Sequence, residues 1–207
     1  MKQNITIEVP TSWRDITLKK YLALLNDIKG YEGDDEAQSA FLLWHLCGLD
    51  TDQLKGLTQS AYEELRNDIL SFMANQQCEL QRIIEIDGVR YGFEPNLSQM
   101  PYGAYCDITK FNQLAIDKNW AKIMSILYRP IEKELMGTYS IKKYSGEIDE
   151  TKFMNVGMDI HFGAYFFFVH LLKDLVNFTL NSTMKMEEVP LNIKRILARS
   201  GELMQRL

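Results

Sequence analysis

Apolar residues recur at intervals of three and four over most of this chain and alternate with polar ones over only a few short stretches. The pattern predicts an α+β fold, predominantly helical, with a small antiparallel sheet. The first helical stretch carries Leu18, Tyr21, Leu22, Leu25 and Ile28, with Asp15 or Thr17 as its cap and Gly30 at its end. "EAQSAFLLWHLCG" predicts a helix from Glu36 closed by Gly48. Asp50 or Thr51 caps a short helical turn, and Thr58 or Ser60 opens a helix with Tyr62, Leu65, Ile69, Phe72 and Met73 along one side. Later helices are expected from Tyr102 to about Ile116, from near Asp117, over Asp149 to Val156, and from about Asp159 to Leu180.

Strand patterns lie around residues 5–9 and 83–93, with 139–144 as a candidate further edge. In "ITIEV" residues Ile5, Ile7 and Val9 share a face and Pro10 stops the run. In "IIEIDGVRYGF" Asp87 and Gly88 suit a two-residue turn, which pairs Ile86 with Val89, Glu85 with Arg90 and Ile84 with Tyr91. That register places Ile84, Ile86, Val89, Tyr91 and Phe93 on one face and brings the charges of Glu85 and Arg90 together on the other. The implied organisation is a mainly helical domain over residues 1–180 with a β-hairpin insert at 82–94, followed by a C-terminal extension over 181–207.

"WAKIMSILYRPI" poses the sharpest local question. Trp120, Ile123, Met124, Leu127 and Tyr128 form one buried stripe, and Pro130 then forces Arg129 out of helical geometry. The expected result is a corner, with the Arg129 guanidinium at the negative end of the helix dipole, a placement typically worth ~0.3–1 kcal/mol. The other reading gives Arg129 a phosphate or a partner's carboxylate. Further on, "IHFGAYFFFVHLL" contains Phe166, Phe167 and Phe168 and is apolar around much of its circumference, which suits a central helix or a partner surface. It is shorter than the roughly 20 apolar residues needed to span a bilayer. The last segment predicts an amphipathic helix with Ile193, Ile196 and Leu197 on its apolar side, as an oligomerisation or partner-binding element.

Composition narrows the partners. The chain has 207 residues, 46% of them hydrophobic and 25% charged, enough to bury a core without a metal or disulfide. A net charge of −5 offers no basic footprint for nucleic acid or anionic lipid. The three cysteines are odd in number and far apart, and "MKQNITIEVP" has no apolar signal-peptide run, so reduced thiols and cytoplasmic synthesis are expected. His45, His161 and His170 lack zinc-site spacing, and GxSxG, GxxxxGK[ST] and GxGxxG are absent. No catalytic, cofactor-binding or metal-binding residues are therefore assigned. An enzyme would be marked by a polar pocket joining His45, His161 or Cys106 to carboxylates. Nucleic-acid binding would use Lys142, Lys143 and the C-terminal arginines.

Taken in order, "TSWRDITLKKYLALL", "CGLDTDQLKGLT", "IDGVRYGF", "MPYGAYCDI", "WAKIMSILYRPI", "YSIKKYSG" and "FGAYFFFVHLLKDL" resemble a broad family of tailed-phage proteins, many of them tail assembly chaperones or virion proteins. The resemblance implies a non-enzymatic protein that binds other phage tail or virion proteins, without a cofactor, specific nucleic acid or membrane. It would act in the host cytoplasm during assembly, holding the tape-measure protein and recruiting tail-tube subunits. The alternative is a structural component of the virion, such as a tail or connector ring subunit or a packaged protein of a short-tailed phage. Either role implies a homo-oligomer or multi-subunit assembly. Trp120, Tyr128, Arg129 and Pro130 would anchor the fold's corner, while the Phe-rich helix or the C-terminal helix presents apolar surface to the partner.

Overall fold

A computed structural model describes residues 7–75, 78–111 and 115–183. The chain divides into two compact units, Met1–Gln77 with Met154–Asp159, and Cys78–Phe153 with Ile160–Leu207. The architecture is α+β, with an antiparallel sheet of four strands.

In the first unit each helix begins where a short polar side chain satisfies a free backbone N–H. Thr17 caps α1 (Leu18–Ile28) by accepting from the Lys20 N–H at 3.3 Å. Asp34 does the same for α2 (Asp35–Cys47), accepting from Ala37 at 3.0 Å. Asp50 and Gln53 form a reciprocal capping box, with both bonds at 2.8 Å, on α3 (Thr51–Gly56). Thr58 caps α4 (Gln59–Ala74) through Ala61 at 3.3 Å. Gly48 ends α2 at φ 73°, a conformation that favours glycine.

The apolar sides of α1 and α2 pack together, burying Leu18, Tyr21 and Leu24 with Leu42, Leu43 and Leu46. The indole N–H of Trp13 donates to the Asn75 carbonyl at 2.8 Å, and its ring lies 4.5 Å from that of Phe72. The segment Met154–Asp159 joins this unit through an antiparallel bridge of Thr17 with Gly157, flanked by bonds from Leu18 N to Val156 O and from Met158 N to Ile16 O.

The strand expected at 5–9 is not formed over Ile7–Val9, and Ile5 lies outside the described residues. Alternation defines a face, but a strand also needs an adjacent edge to bond to. Among the described residues of the first unit the only β pairing is the single Thr17–Gly157 bridge.

The second unit holds the sheet, β1 (Ile83–Ile86), β2 (Val89–Phe93), β3 (Tyr128–Leu135) and β4 (Thr138–Ile141), in that spatial order with every pair antiparallel. The β1–β2 register is the one expected from the Asp87–Gly88 turn. Two details differ. Val89 is exposed beside the turn, and the Arg90 guanidinium engages Glu134 on β3 instead of Glu85. The candidate edge at 139–144 is formed as β4, over Thr138–Ile141.

Strand β3 has no counterpart in the strand pattern. Its sequence, YRPIEKEL, puts charges on both faces and contains a proline, which normally argues against a central strand. It forms because both neighbours are supplied from elsewhere. Tyr91, Gly92 and Phe93 pair with Pro130, Arg129 and Tyr128, and β4 pairs on the other side, with a register irregularity between Ile131 and Lys133 that takes up the extra residue.

Helices α5 (Tyr102–Lys110), α6 (Trp120–Leu127), α7 (Glu150–Met154) and α8 (Met158–Thr183) complete the order. The expected extension of α5 to Ile116 stops at Lys110, and residues 112–114 lie outside the described residues. The whole stripe of α6 is buried, together with Ala121 and Ile126, so this helix is enclosed on more sides than its spacing implied. None of the described helices is long and apolar enough to cross a membrane.

Gly163 of α8 lies against the backbone of Glu79, where a Cβ would sit 2.3 Å from the carbonyl oxygen. In an isolated helix Gly→Ala stabilises by about 1 kcal/mol. Here the clash is with backbone, so Gly163→Ala should destabilise by about 1–3 kcal/mol. A rise in the urea midpoint of this variant would refute the close approach.

Candidate functional site

The Tyr-Arg-Pro segment is the meeting point of helix and sheet in the second unit. Helix α6 ends at Leu127, and Tyr128 already has the extended angles φ −102° and ψ 119°. The chain thus leaves the helix and enters β3 without a loop. The free Leu127 carbonyl accepts from the backbone N–H of Glu94 at 2.8 Å. Glu94 follows Phe93 at the end of β2, so one residue closes the helix and continues the ladder.

Arg129 corrects the expected corner. Its guanidinium does not rest on the helix dipole: it is buried and forms an ion pair through Nη2 with the Glu94 carboxylate, the two side chains retaining 9% and 8% exposure. The helix stops where the proline requires, but the charge is satisfied by a carboxylate of the same chain. Burial of both partners makes this a costly pair to break, because removing one leaves an uncompensated charge away from water. Nε and Nη1 of Arg129 have no hydrogen-bond partner among the described residues. The other Glu94 oxygen accepts weakly from the Asn96 N–H at 3.4 Å.

A neighbouring glycine makes room for the last strand. A Cβ on Gly92 would meet the Tyr139 ring at 2.4 Å and Ile141 at 2.8 Å, so the ring of Tyr139 lies over the place where a side chain would stand. The Tyr139 hydroxyl donates to the Phe93 carbonyl at 2.7 Å. Just beyond β4 the Tyr144 hydroxyl donates to Asp107 of α5 at 2.6 Å, and burial together with that hydrogen bond pushes it up to about 12.

A tyrosine whose pKa is raised by folding contributes stability that is complete below the ordinary value near 10 and is lost as pH rises through the folded value. The wild type should therefore lose more stability between pH about 10 and about 12 than Tyr144→Phe. Urea midpoints taken stepwise over that window check this; parallel curves would contradict it.

The aromatic candidates converge on Phe93. Its ring is edge-on to Tyr128 at 5.2 Å and to Phe167 at 5.5 Å, and 6.1 Å from Phe168. Such geometry adds about 0.5–1.5 kcal/mol per pair beyond burial. Tyr128 is buried and donates its hydroxyl to the Gln81 carbonyl at 2.6 Å. Trp120 is buried edge-on to Tyr165 at 5.9 Å, with its indole N–H unpartnered among the described residues. Pro130 is half-buried opposite Tyr91, and its carbonyl accepts from the Lys142 N–H at 2.8 Å.

Phe166, Phe167 and Phe168 are half-buried, while Phe162, Tyr165 and Val169 form the buried side of α8. Trp120, Tyr128, Arg129, Pro130 and the phenylalanines thus all belong to the second unit. Ile193, Ile196 and Leu197 lie outside the described residues.

Sequence reasoning missed Glu94 and the hub role of Phe93. The available signal was a carboxylate at the end of an apolar strand, just before Pro95, in a chain that also offered a lone arginine between apolar segments.

Two of the three histidines, His45 and His161, have partners within their own units. In the first unit His45 Nε2 is 2.8 Å from an Asp27 oxygen, and in the second the buried His161 Nε2 is 3.0 Å from the Phe153 carbonyl. Among the described residues no three His, Cys, Asp or Glu side chains converge to hold a metal ion. Compared with protein-family models, with curated proteins and with solved structures, the chain matches none.

Proposed function

We propose that this is a bacteriophage morphogenesis protein that acts by protein–protein contacts in tail assembly, in the manner of a tail assembly chaperone. The observation that carries this reading is the ordered set of sequence blocks running from "TSWRDITLKKYLALL" to "FGAYFFFVHLLKDL". Five of those blocks, from "IDGVRYGF" onward, fall in the second unit, where they build its sheet, α5, α6 and α8. The large apolar side chains that this unit leaves in solvent add support, since exposed apolar clusters suit a protein that works by contact. The partners on this reading are other phage tail or virion proteins, met in the host cytoplasm.

Mass spectrometry of purified particles against infected-cell lysate tests it, with affinity purification of the tagged chain. Copurification with tail proteins and absence from finished particles supports the chaperone role. Stoichiometric presence in particles assigns the protein instead to the structural components, as a tail or connector ring subunit or packaged protein. Failure to associate with any phage protein overturns the reading.

A further inference from the structure

The outer side of α2, in the first unit, carries a row of aromatic rings. Between centroids, Tyr31 just before the helix lies 5.1 Å from Phe41, and Phe41 lies 6.2 Å from Trp44. Tyr31 keeps 45% exposure and Trp44 48%, whereas Trp13 and Trp120 are buried. The inner side of the same helix, with Leu42, Leu43 and Leu46, is the one packed on α1. The row is held in place: the Gln38 side chain donates to the Tyr31 carbonyl at 2.8 Å, and the Asp34 N–H donates to the same carbonyl at 3.1 Å.

Carboxylates border this ledge without cations to match them. From position 27 to 36 the chain carries Asp27, Glu32, Asp34, Asp35 and Glu36 against Lys29 alone. Asp27 bonds His45 and Asp34 caps α2, but Glu32, Asp35 and Glu36 enter no ion pair among the described residues. The exposed apolar groups of the second unit differ in this respect. Beside Leu135 and Tyr105 the carboxylates are already matched, Glu134 by Arg90 and Asp107 by Lys110. Aromatic surface rimmed by unmatched negative charge selects a partner that is apolar on one face and cationic at its borders, because rings and carboxylates both attract cations.

The chain contains such a segment. Residues 190–207, which lie outside the described residues, carry Lys194, Arg195, Arg199 and Arg206 against Glu202, in a chain whose net charge is −5. At about 100° per residue, the helix that their spacing predicts puts Ile193, Ile196 and Leu197 on one face, with Lys194 on one flank and Arg199 on the other.

We infer that residues 190–207 of one copy dock as a helix on the Tyr31–Phe41–Trp44 ledge of a second copy, with Ile193, Ile196 and Leu197 against the rings and Lys194 and Arg199 against the rim of Glu32, Asp35 and Glu36. This is the mode in which an amphipathic helix lays its apolar face on an apolar surface. Chain length assigns the segment to a second copy. Helix α8 starts at Met158, whose N–H bonds the Ile16 carbonyl, and its 26 residues span roughly 39 Å. Residues 184–189, fully extended, recover about 20 Å of that, and the helical rise to Arg199 adds about 15 Å, so the return falls short. Passed onward from copy to copy the contact closes as a ring, and exchanged reciprocally it closes as a dimer. This goes beyond the proposed function, which assigns no contact between copies of this chain.

Sedimentation velocity of the full chain from about 10 μM to about 1 mM at low ionic strength, together with acrylamide quenching of Trp44, tests the inference. The wild type should gain mass with concentration while Trp44 becomes shielded, and an added peptide of residues 187–207 should lower that mass. Glu32→Lys with Glu36→Lys, and separately Lys194→Glu with Arg199→Glu, should each associate about tenfold or more weakly, because like charges then face each other. Mixed in equal amounts, the two variants should regain association, since each tail then meets a rim of opposite sign. A wild type that stays monomeric overturns the inference. If its Trp44 is shielded until the tail is reversed, the tail docks on its own copy; if its Trp44 is open, the ledge serves another protein. Association that survives both reversals and the peptide is carried by another surface and overturns it as well. Copurification with phage proteins is independent of all these outcomes, so the proposed function stands or falls separately.

Discussion

Arg129→Ala should lower stability by about 3–5 kcal/mol, and Glu94→Ala by a similar amount, because each leaves its partner charged and enclosed. Both groups are nine-tenths buried and paired with each other, and Arg129 also lies in the ladder opposite Gly92. The diagnostic comparison is with a double replacement. Glu94→Leu combined with Arg129→Met removes both charges while keeping apolar volume, and should recover most of the loss. Guanidinium unfolding of the four proteins compares the cost of stranding one charge with the cost of removing both. Singles that cost less than about 1 kcal/mol would mean the pair sits in water, since that is the range of exposed ion pairs.

The second large effect is expected at Trp120. Trp120→Ala should cost about 3–5 kcal/mol, the usual range for deleting a fully buried indole. Trp120→Phe should cost far less, because the indole N–H has no partner among the described residues and removing it strands nothing. The ring's edge-on contact with Tyr165 can also be kept by phenylalanine. Thermal unfolding followed by circular dichroism separates the two variants. Equal losses would show that the N–H is bonded and that the site is more polar than its surroundings indicate.

Trp120 and Arg129 differ in how far their surroundings follow from their neighbours in the chain. Burial of Trp120 follows from its place in a stripe with Ile123, Met124 and Leu127, and the structure buries all four. The partner of Arg129 does not follow from its neighbours. Glu94 is 35 positions away, brought in by β2 pairing with β3, and β3 itself was hidden by its charges and by Pro130. Phe93 was placed on the hairpin's apolar face, yet its contacts with Tyr128, Phe167 and Phe168 required α6 and α8 to meet the sheet.

What the sequence determined by itself are the features whose cause is local. The start of each of three helices is narrowed to two nearby caps, Asp15 or Thr17, Asp50 or Thr51 and Thr58 or Ser60, of which Thr17, Asp50 and Thr58 hold the place, because a side-chain oxygen two or three residues from a free N–H needs no distant partner. Asp87 and Gly88 set the β1–β2 register because a two-residue turn leaves no choice of pairing. Tertiary structure alone decided the rest. The short alternation at residues 5–9 lacked an edge to join over Ile7–Val9, while the unpromising YRPIEKEL segment found one on each side. Arg129 acquired a carboxylate, and Gly163 became a point of backbone contact with Glu79. In each case the deciding free energy comes from groups far apart in the chain, and no local pattern encodes which of them will meet.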